Sequence, residues 1–304
     1  MSCLRAMVLL FMATVSAAQT CSFAISGTTM TLKSDCVTSS TITIANGFTL
    51  NGNNHLITVV DPGNGVFFSG PVITNAGAAA SVKNLMIDSP RLRSCSVVEG
   101  ISFTSTTGLI TGNTILHLDS VGGCQRESTG IELITPVKVT VSANRVLWGN
   151  GPALSVTCPS WPNCSGGGTV SISGNEFTTS LNHTVVYLSG VGGSFTKNAL
   201  DANVIYNHSL HLTNTFPGMQ ITSNNFNLAS GAASGNAIYL GSDNAVITGN
   251  RIFNFGINES GAVGINNVGA SDPASNNIKN NQIRCYGTPV VNGTGTNTVL
   301  SCPW

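Results

Sequence analysis

Charge is scarce in this chain. Only 8% of its 304 residues are charged, twelve basic and twelve acidic, and the formal net charge is zero. A nucleic acid or an anionic membrane as partner calls for a basic excess, and there is none. Long apolar runs are missing as well. The longest, Ala6 to Val15, is well short of the roughly 20 residues that a membrane span requires. No stretch after it repeats with the period of a helix. Neither a Cys-x-x-Cys nor a partnered histidine spacing is present, which argues against zinc. No acidic calcium-binding cluster is visible. No metal and no cofactor are expected.

Gly, Asn, Ser and Thr stand where charge usually does, a composition suited to many tight turns. They are organised by one returning phrase: Val139-Thr140-Val141-Ser142-Ala143-Asn144-Arg145-Val146. It recurs as Val170 to Phe177, Met219 to Phe226 and Ala245 to Ile252. Degenerate copies end at Asn53, Asn84, Asn113, Asn198 and Asn281. The nine asparagines follow one another at 23 to 31 residues, about 28 on average. A fixed period in this range is the signature of stacked structural repeats. Within the phrase every second residue is apolar, which is strand period.

Each repeat then continues with a short apolar piece, a loop of variable length and a second alternating strand. That strand reads Ile101-Ser102-Phe103, Ile131-Glu132-Leu133, Leu154-Ser155-Val156, Val186-Tyr187-Leu188, Leu210-His211-Leu212, Ile238-Tyr239-Leu240 and Val263-Gly264-Ile265. Three strands and three turns in under 30 residues predict a triangular solenoid, its coils paired in parallel about 4.8 Å apart. Asparagine fits the recurring turn because it tolerates left-handed backbone, and stacked asparagines can hydrogen-bond along a ladder.

Residues 1–18 read as a secretory signal: Arg5, the apolar stretch, then Ser16-Ala17-Ala18. A secreted, extracellular, monomeric chain is expected to follow, one solenoid over 19–304 with an N-terminal cap at 19–40 and a C-terminal cap at about 284–304. Once Cys3 has left with the signal, eight cysteines remain, an even count that reads as disulfides. Cys95 and Cys124 are one repeat apart and predict a bond between neighbouring coils. Cys21 with Cys36, Cys158 with Cys164, and Cys285 with Cys302 are local pairs. Five Asn-x-Ser/Thr sequons, at Asn163, Asn182, Asn207, Asn258 and Asn292, are glycan acceptors in a host that glycosylates.

The repeated Ile-Thr-Gly-Asn-x-Ile type of phrase resembles secreted right-handed parallel β-helix proteins of the pectate-lyase-like superfamily. Gly123-Cys124-Gln125 followed by Gly130-Ile131-Glu132-Leu133 is similar to a turn in secreted bacterial members. The resemblance covers roughly 40–285 and implies an all-β, single-stranded right-handed parallel β-helix of about eight or nine coils. It implies less about function, since this architecture hosts lyases, hydrolases, esterases, epimerases, adhesins and ice-binders. It also implies a site on the Ile-x-Leu strand and the loops that enter it.

The outward middle positions of that strand are Ser102, Glu132, Ser155, Tyr187, His211, Tyr239 and Gly264. Tyr187, His211 and Tyr239 form an aromatic and polar ladder that suits sugar rings, although exposed tyrosine is favoured in strands in any case. Charge density gives a second pointer. Of the 24 charged residues, 11 fall within 83–145, where even spreading would put about five. Arg91, Arg93, Asp119, Arg126, Glu127 and Glu132 are expected in one cluster, its two loops stapled by Cys95–Cys124. Asp119, Arg126 and Glu132 are the candidate catalytic residues, and Arg91, Arg93 and Glu127 would bind substrate beside the aromatic ladder. Such a cluster suits an acidic sugar or proton abstraction; an ion-pair network bracing two loops fits it equally well.

The reading is therefore an extracellular protein that binds or processes a polysaccharide or cell-wall glycan, with lyase or epimerase chemistry as one form. The Arg-x-Pro-x-x-Arg phrase of pectate lyases, the Gly-His-Gly of the hydrolases and the Asp-Pro-His-Glu of alginate epimerases are all missing. The alternative is a structural, adhesive or ice-binding solenoid. For it stand two Ser/Thr ranks: Thr111, Ser142, Ser173, Thr196, Thr222 and Thr248, and beside them Thr140, Ser171, Ser194 and Gln220, interrupted by Leu109, Val246 and Asn277.

Overall fold

The computed structural model describes residues 19–90, 92–93, 95–118, 127–158, 168–179, 183–202, 207–214, 218–228, 235–255, 261–293 and 295–300. The expected signal over 1–18 lies outside them. So do Arg91, Asp119, Cys124, Arg126, Cys164 and Cys302, and the sequons at Asn163, Asn182 and Asn258.

The chain is a right-handed parallel β-helix. Each coil lays one strand in each of three sheets, which hold eleven, eleven and ten strands among the described residues. The returning phrase builds the first sheet, the residues after its asparagine the second, and the Ile-x-Leu segment the third. The coil count differs slightly from the eight or nine expected, because segments assigned to the caps also enter these sheets: Thr29–Leu32 and Cys36–Thr38 at one end, Thr288–Val291 and Thr298–Leu300 at the other. Phe23–Ser26 folds back on Thr29–Leu32, the one antiparallel pairing among the described strands. Cys21 and Cys36 are bonded around this hairpin, Cα atoms 4.9 Å apart. Closing a loop of that size contributes roughly 3 kcal/mol.

Alternation places one residue of each coil inside, directly above the last. In the first sheet the stack runs Val141, Ile172, Phe195, Ile221, Ile247 and Ile278, all fully buried and register partners from strand to strand. The alternate apolar residues of the phrase thus form one buried ladder.

The turn between the first and second sheets differs from expectation in a definite way. The left-handed residue is the one before the asparagine: Gly112, Ala143, Gly174, Lys197, Ser223, Gly249 and Asn280 all have positive φ. The asparagine itself points inward and is buried. Asn144 Nδ2 donates to Asn175 Oδ1, Asn175 to Asn198, Asn198 to Asn224, Asn224 to Asn250, and Asn250 to Asn281, at 2.8–3.1 Å. The column begins at Asn113 and ends at Asn297, which the repeat count had not included. Asn84 and Asn53 are not in it. Both have left-handed φ, and Leu85, the residue after Asn84, donates its N–H to Asn113 Oδ1. They occupy the turn position.

Candidate functional site on the third sheet

The strands of the third sheet from Val97–Thr104 to Val263–Asn266 share one irregularity. Where strict alternation would turn one residue inward, two consecutive residues turn inward: Gly100-Ile101, Gly130-Ile131, Ala153-Leu154, Val185-Val186, Ser209-Leu210, Ala237-Ile238 and Gly264-Ile265 are all buried. The first of each pair is small in most coils because the corner is crowded. A Cβ on Gly100 would lie 2.6 Å from the Gly130 carbonyl oxygen and 3.0 Å from the core residue Ile115. Outward residues therefore sit three apart, not two, and form two parallel rows.

One row is the expected one, Ser102, Glu132, Ser155, Tyr187, His211 and Tyr239, each the register partner of the next. It continues through Asn266, which pairs with Tyr239, to Val291. Gly264, expected there, belongs to the inward pair. The other row includes Glu99 beside Thr129, and His208 beside Asn236. Glu99 thus lies within the strand Val97–Thr104 and not in the loop before it.

At one end the two rows bring carboxyl groups together. Ser102 Oγ donates to Glu132 Oε2 at 2.9 Å. Glu99 sits against both. Burial first, then the charge of Glu132 and a hydrogen bond to it, raise the Glu99 carboxyl above its ordinary value, while Ser102 works the other way. Two close carboxyls hold a proton more tightly than either alone.

At the other end the rows bring rings together. Tyr187 and His211 have centroids 5.2 Å apart, and His211 and Tyr239 4.9 Å, both edge to face. His208 stacks on Tyr239 at 4.7 Å and meets His211 edge-on at 4.8 Å. The expected ladder is thus a four-ring cluster, with His208 as a member that the sequence reading did not single out. Burial, then the neighbouring His211, depress His208 to about 4; burial also lowers His211. Both imidazoles are neutral at neutral pH. Tyr187 and Tyr239 flank them, half-buried, and the Tyr187 hydroxyl lies 3.2 Å from Thr213 Oγ1.

The charged loop residues are placed as follows. Arg93 is held by Asp61: its N–H and Nε both donate to Oδ2 at 3.0 Å, its Nη2 donates to the Val66 carbonyl, and its guanidinium lies over the Phe67 ring. Asp61 also accepts from Ser96 Oγ and the Phe68 N–H. Burial opposes its ionisation, but these hydrogen bonds prevail and hold it at about 2. Glu127 lies 3.1 Å from His183 Nδ1. Arg91, Asp119 and Arg126 fall outside the described residues, so the described part of the expected cluster divides into Arg93 on Asp61, Glu127 on His183, and Glu132 with Ser102 and Glu99. Cys95, Cys158 and Cys285 are each disulfide-bonded; the partners expected for them lie outside the described residues.

The Ser/Thr ranks lie on the first sheet in the expected register. Their hydroxyls partly bond one another, Ser142 to Thr111 at 3.0 Å and Ser194 to Ser171 at 3.4 Å. Lys83 and Lys279 occupy the main rank beyond Thr111 and Thr248. Among the described residues, no group of three or more metal-ligating side chains occurs, and no helix is long and apolar enough to cross a membrane.

No protein-family model matches the chain, and no curated protein matches it by sequence. Solved structures similar to it include the mannuronan C-5 epimerase AlgE6 A-module of Azotobacter vinelandii, at 10% identity and a TM-score of 0.39 over 90% of this chain and 89% of that one. A mutant of the periplasmic alginate epimerase AlgG matches at 10% identity and a TM-score of 0.45 over 92% and 80%. The Dettilon tailspike protein matches at 12% identity and a TM-score of 0.40 over 90% of this chain and 55% of its own.

Proposed function

We propose that the outward strip of the third sheet binds a polysaccharide, and that the protein does so outside the cell as a monomer. The observation that carries this reading is the run Tyr187, His211, Tyr239, with His208 beside it. It is a contiguous set of half-buried rings on the outward face of consecutive coils. Such rings offer apolar faces to the C–H faces of a sugar and polar edges to its hydroxyls. The Cys21–Cys36 disulfide fits an oxidising compartment.

Lyase or epimerase-type chemistry is a second reading, supported by the carboxyl end of the same strip. Glu99 with a raised pKa and Glu132 beside it form a pair in which one group can hold a proton while the other accepts one. Asp119 and Arg126, from the loop entering the Glu132 strand, would complete it, with Arg91 on the neighbouring loop. Screening against a panel of immobilised neutral and uronic-acid glycans tests the binding reading. Incubation with the bound polymers, followed by ultraviolet absorbance of unsaturated products and NMR of ring configuration, tests the chemical one. Binding without product assigns a binding protein; no binding to any glycan overturns both readings.

A further inference from the structure

We infer that His208 is a ligand-facing hydrogen-bond donor of this strip, that Asn236 and Asn266 are the positioning residues that fix its tautomer, and that the ring cluster accordingly takes an uncharged sugar. The inference rests on the glycan reading and names the substrate class of that site.

The chain of hydrogen bonds runs in one direction. Asn266 Nδ2 donates to Asn236 Oδ1 at 3.1 Å, which leaves the Asn236 amide turned with its nitrogen toward the histidine. Asn236 Nδ2 then meets His208 Nδ1 at 2.9 Å. An amide nitrogen only donates, so with the Asn236 amide in this orientation Nδ1 is the unprotonated, accepting nitrogen. The proton of the neutral ring is then on Nε2. Asn236 is itself buried, and its strand neighbour Ala237 is fully buried, so the amide is well fixed. Among the described residues neither Nε2 of His208 nor either nitrogen of His211 has a hydrogen-bond partner. The protein orients the donor but leaves it unused.

The surroundings choose the ligand charge. The titratable groups facing His208 are His211 on its own strand and Tyr239 on the following one, with Tyr187 of the preceding strand against His211, and both imidazoles are held neutral. No Lys or Arg side chain touches these rings among the described residues, so nothing there offsets the charge of a uronate. A hydroxyl of a neutral sugar accepts from Nε2–H without asking either imidazole to ionise. An anionic sugar would favour protonated imidazoles, which their burial resists.

The test measures the tautomer and the affinity separately. Long-range ¹H–¹⁵N correlation spectra at pH 7 should show His208 protonated on Nε2. In Asn236→Asp the new carboxylate can only accept, so the proton should move to Nδ1. Calorimetry with cellohexaose, maltohexaose and hexagalacturonate should find a neutral hexamer preferred, with affinity about five- to tenfold weaker in Asn236→Asp. Asn266→Ala, which removes the far end of the relay, should give a smaller loss in the same direction and serves if Asn236→Asp fails to fold. An Nδ1–H tautomer in the native protein overturns the positioning role. Tighter binding of hexagalacturonate overturns the substrate class. If Tyr187→Ala abolishes neutral-glycan binding while both asparagine variants leave it unchanged, the glycan reading stands and this inference falls. If no hexamer binds, both fall.

Discussion

Asn144 and Asn175 stand one coil apart and are joined twice: the Asn144 N–H and its Nδ2 both donate to Asn175 Oδ1, at 2.9 and 3.0 Å. Asn175 in turn donates to the Val141 carbonyl at 3.0 Å. One buried amide thus satisfies three groups of the preceding coil. Replacing Asn175 with Ala removes these bonds where water does not reach, and Asn144 Nδ2 keeps only the Ile110 carbonyl, at a cost of about 3 kcal/mol. Urea denaturation should show the loss. A change under ~0.5 kcal/mol would mean the column is incidental.

The apolar column should be equally intolerant. Ile221 is fully buried between Phe195 and Ile247. Ile221→Ala should cost about 2–5 kcal/mol. Ile221→Asp should prevent folding, because an unpaired buried charge is far costlier than a cavity. Normal expression and melting of the aspartate variant would contradict the register.

Asp61 predicts an acid limit to stability. Its folded pKa of about 2 lies below the ordinary 3.8. The resulting stability is present above the unfolded value and is lost as pH falls from 3.8 through 2, roughly 1–2 kcal/mol after allowance for screening. Asp61→Asn should flatten the melting curve in that window and loosen Arg93. An unchanged pH profile would show that the Asp61 contacts do not matter energetically.

Glu99 works in the opposite sense. Its folded pKa is raised, so the folded state binds the proton more tightly, and stability falls as pH rises above the unfolded carboxylate value. Glu99→Gln should melt higher than the native protein at pH 7 and should lose that advantage near pH 4. Equal melting temperatures at both pH values would remove the carboxyl pairing.

Peptide mapping under non-reducing conditions should find Cys95 joined to Cys124, as their one-repeat spacing predicts. Cys95 paired to any other residue would remove the staple expected between the two loops.

Most of the fold is legible in the sequence because its two strongest signals are local. Apolar residues at alternate positions are enough to place Val141 and Ile172 inside, and the spacing of the asparagines is enough to stack them. What escaped is where local rules bend. Asn84 looks like a member of the column, but a left-handed turn accepts asparagine as well as glycine, so the same letter fills two adjacent roles. Glu99 and His208 escaped because two inward residues in succession, Gly100-Ile101 and Ser209-Leu210, place the next outward side chain three residues away. The same break put Gly264 in a row that belongs to Asn266. Charge density drew attention to 83–145, but density does not name partners. Arg93 spends its hydrogen bonds on Asp61, a residue some thirty positions earlier that no motif singles out.

We propose the ring-bearing strip of the third sheet as the glycan surface. The most direct measurement is calorimetric titration of the best-bound neutral oligosaccharide into the native protein, Tyr187→Ala, Tyr239→Ala and, on the first sheet, Thr222→Val. About a tenfold loss of affinity is expected for each tyrosine variant, with melting temperatures close to native and no loss for Thr222→Val. Native affinity in both tyrosine variants, or loss confined to Thr222→Val, would contradict it.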